Sequence, residues 1–340
     1  MGQQTQGDLG ANSSRIPHRN GDFWFHESSR QSATCDDVPL LESDRSSTAR
    51  KANPLPSRLV TPLQQFPAPR LTRRPMPQTL YQIDAFTARP LAGNPAAVCW
   101  LEQSCEDRWL QAVAAEMNLS ETAFLWQEES RFRLRWFTPA VEVDLCGHAT
   151  LAAAHFLWET GKAATDATIE FNTRSGVLTA VRINDRIELD FPIDEIEAGD
   201  PPTGLIAALG CKPIATGRNR RDVLVEVASE AELRSVAPDF RRLAEIRARG
   251  VIVTCRGDGE NYEFLSRFFA PACGIDEDPV TGSAHCALVT YWAPKWKKQT
   301  LRAFQCSQRG GELEVTLDGD RAKLRGAAVT VLRGELDASW

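Results

Sequence analysis

One pattern occurs twice in this chain, and it limits the folds available. Arg135 to Glu159 reads RWFTPAVEVDLCGHATLAAAHFLWE, and Arg267 to Trp292 reads RFFAPACGIDEDPVTGSAHCALVTYW. Arg-Trp-Phe-Thr-Pro-Ala at 135–140 answers to Arg-Phe-Phe-Ala-Pro-Ala at 267–272. An irregular acidic stretch follows, three residues longer in the second copy. Gly147 or Gly282 then opens a run of small and apolar residues ending near a Trp. The order predicts a strand, a Pro-broken loop, a Gly turn and a buried helix. Feature order and spacing match together, which makes chance the poorer account. Two such units predict an α+β chain of two similar halves with a cleft between them, each half a curved sheet wrapped around one apolar helix.

The 340 residues suffice for two cores. A net charge of −6 does not favour nucleic acid, and no run of apolar residues is long enough to span a bilayer. Zinc-finger spacing and a P-loop are also missing. The nine cysteines are scattered, without a C-x-x-C pair, and suit a reducing, cytoplasmic setting. Residues 1–76 are rich in Ser, Pro and Arg and lack apolar periodicity. They are expected to be a disordered, dispensable extension, with Met76 placed to serve as an alternative start. Halves are expected at 77–197 and 198–340, the last strands crossing back to the first half.

Within the first half, Tyr81-Gln82-Ile83-Asp84-Ala85 alternates as a strand, and Gly93-Asn94-Pro95 is a turn feeding a second strand from Ala96 to Leu101. Ser104 is expected to cap the next helix, with Asp107 at the reciprocal position. That helix buries Trp109, Leu110, Val113, Ala114 and Met117 and ends at Asn118. A strand follows from about Thr122. In the second half, strands are expected at 223–227 and 251–255 with one helix between them, from about Ser229 to Ile246. RAKLRGAAVTVLRGEL reads as a final strand pair.

Several residues could carry chemistry. Cys146-Gly147-His148 sits where a loop enters a helix, so free N–H groups and the helix dipole favour an anion such as a carboxylate. His148 can donate to an oxygen or move a proton, whereas His155 reads as packed core. Cys146 at a helix start is either a thiol with lowered pKa or a small buried hydrophobe. Asp276-Glu277-Asp278 runs into Thr281-Gly282-Ser283. One carboxylate there is placed to turn inward, and Ser283 is expected as an N-cap or an anion donor. Glu121 follows Ser120 and leads an apolar strand. Beside that surface its pKa would rise, yet on composition alone it reads as a solvent-facing loop Glu.

Taken together, QIDAFTARPLAGNPAAV, MNLSETAF, FTPAVEVDLCGHATLAAA, LDFP and DEDPVTGSAHCAL resemble the PhzF-like isomerases, relatives of diaminopimelate epimerase, over about residues 78 to 335. The resemblance implies two pseudo-symmetric halves, each a sheet around a central helix, with the site between them. It implies Glu121 as catalytic acid/base, His148 as its assistant, and Asp278 and Ser283 lining the site. Gly147 and Gly282 would present N–H groups to a substrate carboxylate, and Ser120 and Asn94 join the substrate-binding set. Related epimerases use two cysteines, one per half; Cys146 stands at the first position and Asp278 is expected at the second. One thiol cannot complete a two-thiol inversion. The expected activity is therefore a biosynthetic, single-base proton shift that moves a double bond in a small carboxylated metabolite, with no metal or organic cofactor. Partners are expected to be that metabolite and a second copy in a homodimer, with no nucleic acid and no membrane. A Cys146-dependent racemase or epimerase, and a non-catalytic metabolite-binding protein, stand as alternatives.

Overall fold

The computed structural model describes residues 77–337. The expected extension over 1–76 lies outside the described residues. The first half runs β1 (Gln78–Ala85), β2 (Asn94–Trp100), α1 (Asp107–Met117), β3 (Glu121–Glu128), β4 (Arg131–Phe137), β5 (Glu142–Val143), α2 (Gly147–Glu159), β6 (Ile169–Thr173), β7 (Gly176–Ile183) and β8 (Arg186–Pro192). The short β9 (Glu197–Ala198) and α3 (Leu205–Leu209) lead into the second half. There follow β10 (Ala215–Arg218), β11 (Asp222–Glu226), α4 (Glu230–Ser235), α5 (Phe240–Leu243), β12 (Gly250–Arg256), β13 (Phe264–Phe269), α6 (Gly282–Trp296), β14 (Thr300–Gln305), β15 (Gly311–Asp318), β16 (Arg321–Gly326) and β17 (Ala328–Leu336).

Strand pairing repeats step for step. Antiparallel β1–β2, parallel β2–β3, antiparallel β3–β4 and parallel β4–β6 correspond to β10–β11, β11–β12, β12–β13 and β13–β14. Antiparallel β6–β7–β8 corresponds to β14–β15–β16. The halves join where β16 pairs with β8, and β17 pairs with β1 in the first half. β16 and β17 are therefore two strands, as read from the sequence, but each finds its partners elsewhere rather than in the other.

Each parallel step needs a crossover, and the crossovers place the helices. Between β4 and β6 runs α2, and between β13 and β14 runs α6. Both are apolar nearly all round, so each can be stable only where the sheet encloses it. The strands show why they are apolar on both faces. In β2, Ala96, Val98 and Trp100 join the core around α2, whereas Ala97 and Cys99 pack under α1 with Leu110 and Phe124. In β12, Ile252 joins the inner core, whereas Val251, Val253 and Cys255 pack with Leu233 of α4 and Leu243 of α5.

Two local expectations are corrected. The single helix over 229–246 is two short ones, because Pro238 lacks an N–H and disfavours the helical region for Ala237. Ser229 Oγ accepts from Glu232 N at 3.2 Å and Asp239 Oδ1 from Arg242 N at 3.1 Å, so each piece has its own cap. Ser104 does not cap α1. The N-cap is Glu106, without a side-chain cap, and the Asp107 carboxylate is taken by Arg135 at 2.8 Å. His155 is half-buried on the flank of α2, its Nε2 3.8 Å from Glu159, rather than fully in the core. No helix of the described residues is long and apolar enough to cross a membrane.

Candidate active site

The N-termini of α2 and α6 meet at the junction of the halves. A Cβ on Gly147 would lie 3.3 Å from Gly282 Cα, and one on Gly282 equally close to Gly147 Cα. Neither glycine is there for a left-handed backbone. Each is there because any side chain would hold the two helix ends apart. First-turn N–H groups of both helices, with no carbonyl four residues back, thus converge on one region.

Around this junction the fold gathers most of the predicted residues. Glu121, the first residue of β3, brings Oε2 to 3.2 Å from His148 Nε2. Cys146 Sγ lies 3.5 Å from His148 Nδ1. Asn94, fully buried, reaches across from β2: its Nδ2 lies 2.8 Å from Asp278 Oδ1, 2.9 Å from the Val280 carbonyl and 3.2 Å from His148 Nδ1. Gly93 makes this reach available. Its φ is +64°, and a Cβ would meet the Ala85 carbonyl at 2.2 Å, so only glycine turns the chain into β2 here. Ser120 is half-buried beside Glu121. Ser283 is no N-cap: Thr281 holds that position, and Ser283 Oγ instead accepts from Arg249 Nη2 at 3.0 Å. Glu121 is no solvent-facing loop residue either, with 13% of its side chain exposed.

Burial sets the protonation states. It lifts the Glu121 carboxyl to about 8; the Asp278 charge adds to this and a hydrogen bond with Cys146 opposes it. Asp278 is lifted to about 6, again by burial, against hydrogen bonds from Thr281 and Asn94. Burial lowers His148 to about 3, so its ring is neutral at physiological pH. Near pH 7 the site holds a largely protonated Glu121, an ionised Asp278 and a neutral imidazole. Asn94 Nδ2 is fixed by two oxygen acceptors, so the ring nitrogen it faces, Nδ1, serves as acceptor and the proton sits on Nε2, toward Glu121. Among the described residues His148 Nε2, Glu121 Oε2 and Asn94 Oδ1 are buried without a hydrogen-bond partner, which costs about 1–3 kcal/mol for each group left so.

Of the two readings of Cys146 the buried one holds, and the expectation about its counterpart changes. Cys146 does not have a lowered pKa. Burial first, and then the charge of Glu121, push it well above the usual thiol range. The position across from Cys146 is Thr281 rather than Asp278: both are N-caps, and each is followed by one of the touching glycines. Asp278 lies three residues earlier, in the loop, and accepts from the Thr281 hydroxyl. There is still no second thiol at the matching position.

Glu121, Cys146 and His148 have ligand atoms within 4.8 Å of one another, a set that could hold a metal ion. The arrangement fits one poorly. A metal on Nε2 would require the proton on Nδ1, where Asn94 presents N–H rather than an acceptor.

Sequence reasoning missed the groups behind the site. Gln305, fully buried on β14, accepts from Thr281 N at 2.9 Å and donates to the Asp278 carbonyl at 2.6 Å, holding that loop in shape. Asp222 and Arg249 were also missed. Aligning the halves by strand register, with Ser120-Glu121 against Arg249-Gly250, would have drawn attention to Arg249.

The profile of the PhzC-PhzF family, phenazine biosynthesis-like proteins, matches residues 83–334. The chain belongs to this family. An uncharacterised isomerase of Halalkalibacterium halodurans is 51% identical over 262 residues, which is 77% of this chain and 99% of that protein. The human phenazine biosynthesis-like domain-containing protein is 41% identical over 285 residues, 76% of this chain and 99% of its own. The crystal structure of a PhzF-family protein of Enterococcus faecalis has a TM-score of 0.73 at 39% identity, covering 76% of this chain and 99% of that one. A hydroxyproline epimerase of Agrobacterium vitis shares the fold alone, at a TM-score of 0.51 and 12% identity over 78% of this chain and 93% of that one.

Proposed function

We propose that this PhzC-PhzF family member is a cofactor-independent isomerase that moves a double bond in a small carboxylated metabolite, with Glu121 as its single proton carrier. The observation that carries the reading is the placement of Glu121. It is a buried carboxyl with a pKa of about 8, facing a neutral His148. Such a group takes a proton from carbon far better than an ordinary carboxylate and can still return it near neutral pH. Ionised Glu121 removes the proton from one carbon. Electron density then moves along the conjugated system toward the substrate carboxyl group. The same Glu121, now protonated, delivers the proton at the far end. The converging N–H groups of α2 and α6 stabilise the charge that develops on oxygen, so no Lewis acid or organic electron sink is required. The N–H at His148 Nε2, 3.2 Å from Glu121 Oε2 and left without a hydrogen bond, is available to donate to the substrate, and ionised Asp278 fixes Asn94 and so the imidazole tautomer.

The racemase alternative needs a base on each face of one carbon. A thiol held protonated at Cys146 supplies one of those bases poorly, whichever of Asp278 and Glu121 is paired with it. Relatives named as isomerases agree with the proposed class. The test is a thermal-shift screen of small unsaturated carboxylates, followed by proton NMR of any stabilising compound after incubation. A product with a moved double bond supports the reading; a stereoisomer with its double bonds unmoved would replace it with the epimerase.

A further inference from the structure

The two halves share a frame and divide the chemistry between them. Helix register sets Cys146, Gly147 and His148 against Thr281, Gly282 and Ser283. Strand register sets Glu121 against Gly250: Ala96 faces Glu121 in β2–β3 as Asp222 faces Gly250 in β11–β12, and Phe137 faces Thr122 as Phe269 faces Val251. A Cβ on Gly250 would meet the Phe268 ring at 2.1 Å, so the second half has no room for a side chain where the first half carries its acid. The polar group comes from one residue earlier. Arg249 donates from Nε to Asp222 Oδ1 at 2.8 Å and from Nη2 to Asp222 Oδ2 and, at 3.0 Å, to Ser283 Oγ.

This geometry leaves specific donors over. Asp222 is fully buried and grips the guanidinium by its Nε/Nη2 edge. Among the described residues Nη1 has no partner, and a quarter of the Arg249 side chain is exposed (25%). Ser283 Oγ already accepts from Arg249, so its own hydrogen is free to donate outward. Ser283 stands beside the Gly282–Gly147 contact, on the first turn of α6, where the helix end adds further N–H groups. His148, next to Gly147 in the same junction, and Asn94, hydrogen-bonded to the loop before α6, are both more than nine-tenths buried and carry the unpartnered Nε2 and Oδ1.

We propose that Arg249 is the carboxylate anchor of the substrate site, binding the anion through Nη1 beside the Ser283 hydroxyl, while the first half performs the proton transfer. A planar fork locked on one edge by a buried carboxylate presents the other edge at fixed geometry, which suits a planar carboxylate better than a lysine would. The proposal rests on the isomerase reading for the nature of the substrate, and its test is chosen to be independent of turnover.

The probe is trifluoroacetate, an always-ionised small carboxylate, titrated into the full chain and followed by fluorine NMR. Wild type and Glu121→Gln should bind it saturably. Arg249→Gln should weaken binding at least about 10-fold, the loss expected for a hydrogen bond to a charged group. Arg249→Lys should fall between them, and Ser283→Ala should also weaken binding. Because Arg249→Gln orphans the buried Asp222 charge, the Arg249→Gln/Asp222→Asn double variant removes both charges together and should show the same weakening in a folded protein. Unchanged affinity in the double variant and in Arg249→Lys, or no saturable binding by wild type, overturns the anchor. Arg249-dependent binding without any proton exchange would sink the isomerase reading and leave the anchor standing. Exchange that depends on Glu121, with binding indifferent to Arg249, would do the reverse.

Discussion

Glu121 owes its basicity first to desolvation, with the Asp278 charge adding to it, and that has a thermodynamic signature. Its carboxyl rises from an ordinary 4.5 to about 8, so between those values the native state holds a proton that the unfolded chain has lost. The stability this group contributes is complete below the lower value and is lost as pH rises through the upper one. Glu121→Gln has no proton to lose. Its melting temperature should gain on wild type as pH goes from about 5 to about 9, and the gain should level off above about 8. A difference that stays constant would mean Glu121 titrates like an exposed carboxylate. The same variant should lose at least about 10²-fold in turnover, the usual worth of a general acid–base group. Cys146→Ser should keep substantial activity, since a thiol held protonated is not the base; a dead Cys146→Ser that still binds ligand would restore the racemase reading. At this scale the sequence was informative where a motif named a residue. It was silent where the role depended on a neighbour. Nothing in the letters around Cys146 says whether the helix dipole or burial wins, and burial does.

Secondary structure was legible wherever periodicity was long and clean. The stripe of α1 and its stop at Asn118, which adopts φ 50°, followed from spacing and composition. The break at Pro238 was equally present in the sequence and was overrun by the apolar spacing on either side of it. Contacts between elements were not legible. Gly147 and Gly282 read as helix-opening turns, whereas their demand comes from each other across the junction. Gly147→Ala should force α2 and α6 apart by a few tenths of an ångström. We expect a loss of about 1–3 kcal/mol in urea unfolding, with α2 and α6 still formed by circular dichroism. Unchanged stability would show that the helix ends have slack and that the contact does not fix the site.

Over the whole molecule, the repeat foretold two like halves, because a pattern of strand, loop and buried helix demands its own enclosing sheet. The crossing of the last strands back to the first half was also legible and is met by β17 on β1 and β16 on β8; the particular partners were not, since β16 and β17 look like ordinary neighbours until those pairings are known. With those pairings, and one core that includes both Phe156 and Trp292, the halves should not melt separately. Denaturant unfolding of the protein should give coincident transitions by far-UV circular dichroism and tryptophan fluorescence; two separated transitions would mean that each half is a folding unit. Glu121 and His148 of the first half and Ser283 of the second stand at one junction, where we propose that proton transfer takes place. It is tested most directly by incubating a binding unsaturated carboxylate with the protein in deuterium oxide and reading deuterium incorporation by mass spectrometry. Wild type and Cys146→Ser should wash deuterium into the compound, and Glu121→Gln should not. Incorporation by Glu121→Gln at the wild-type rate, or its loss in Cys146→Ser alone, would contradict Glu121 as the single proton carrier.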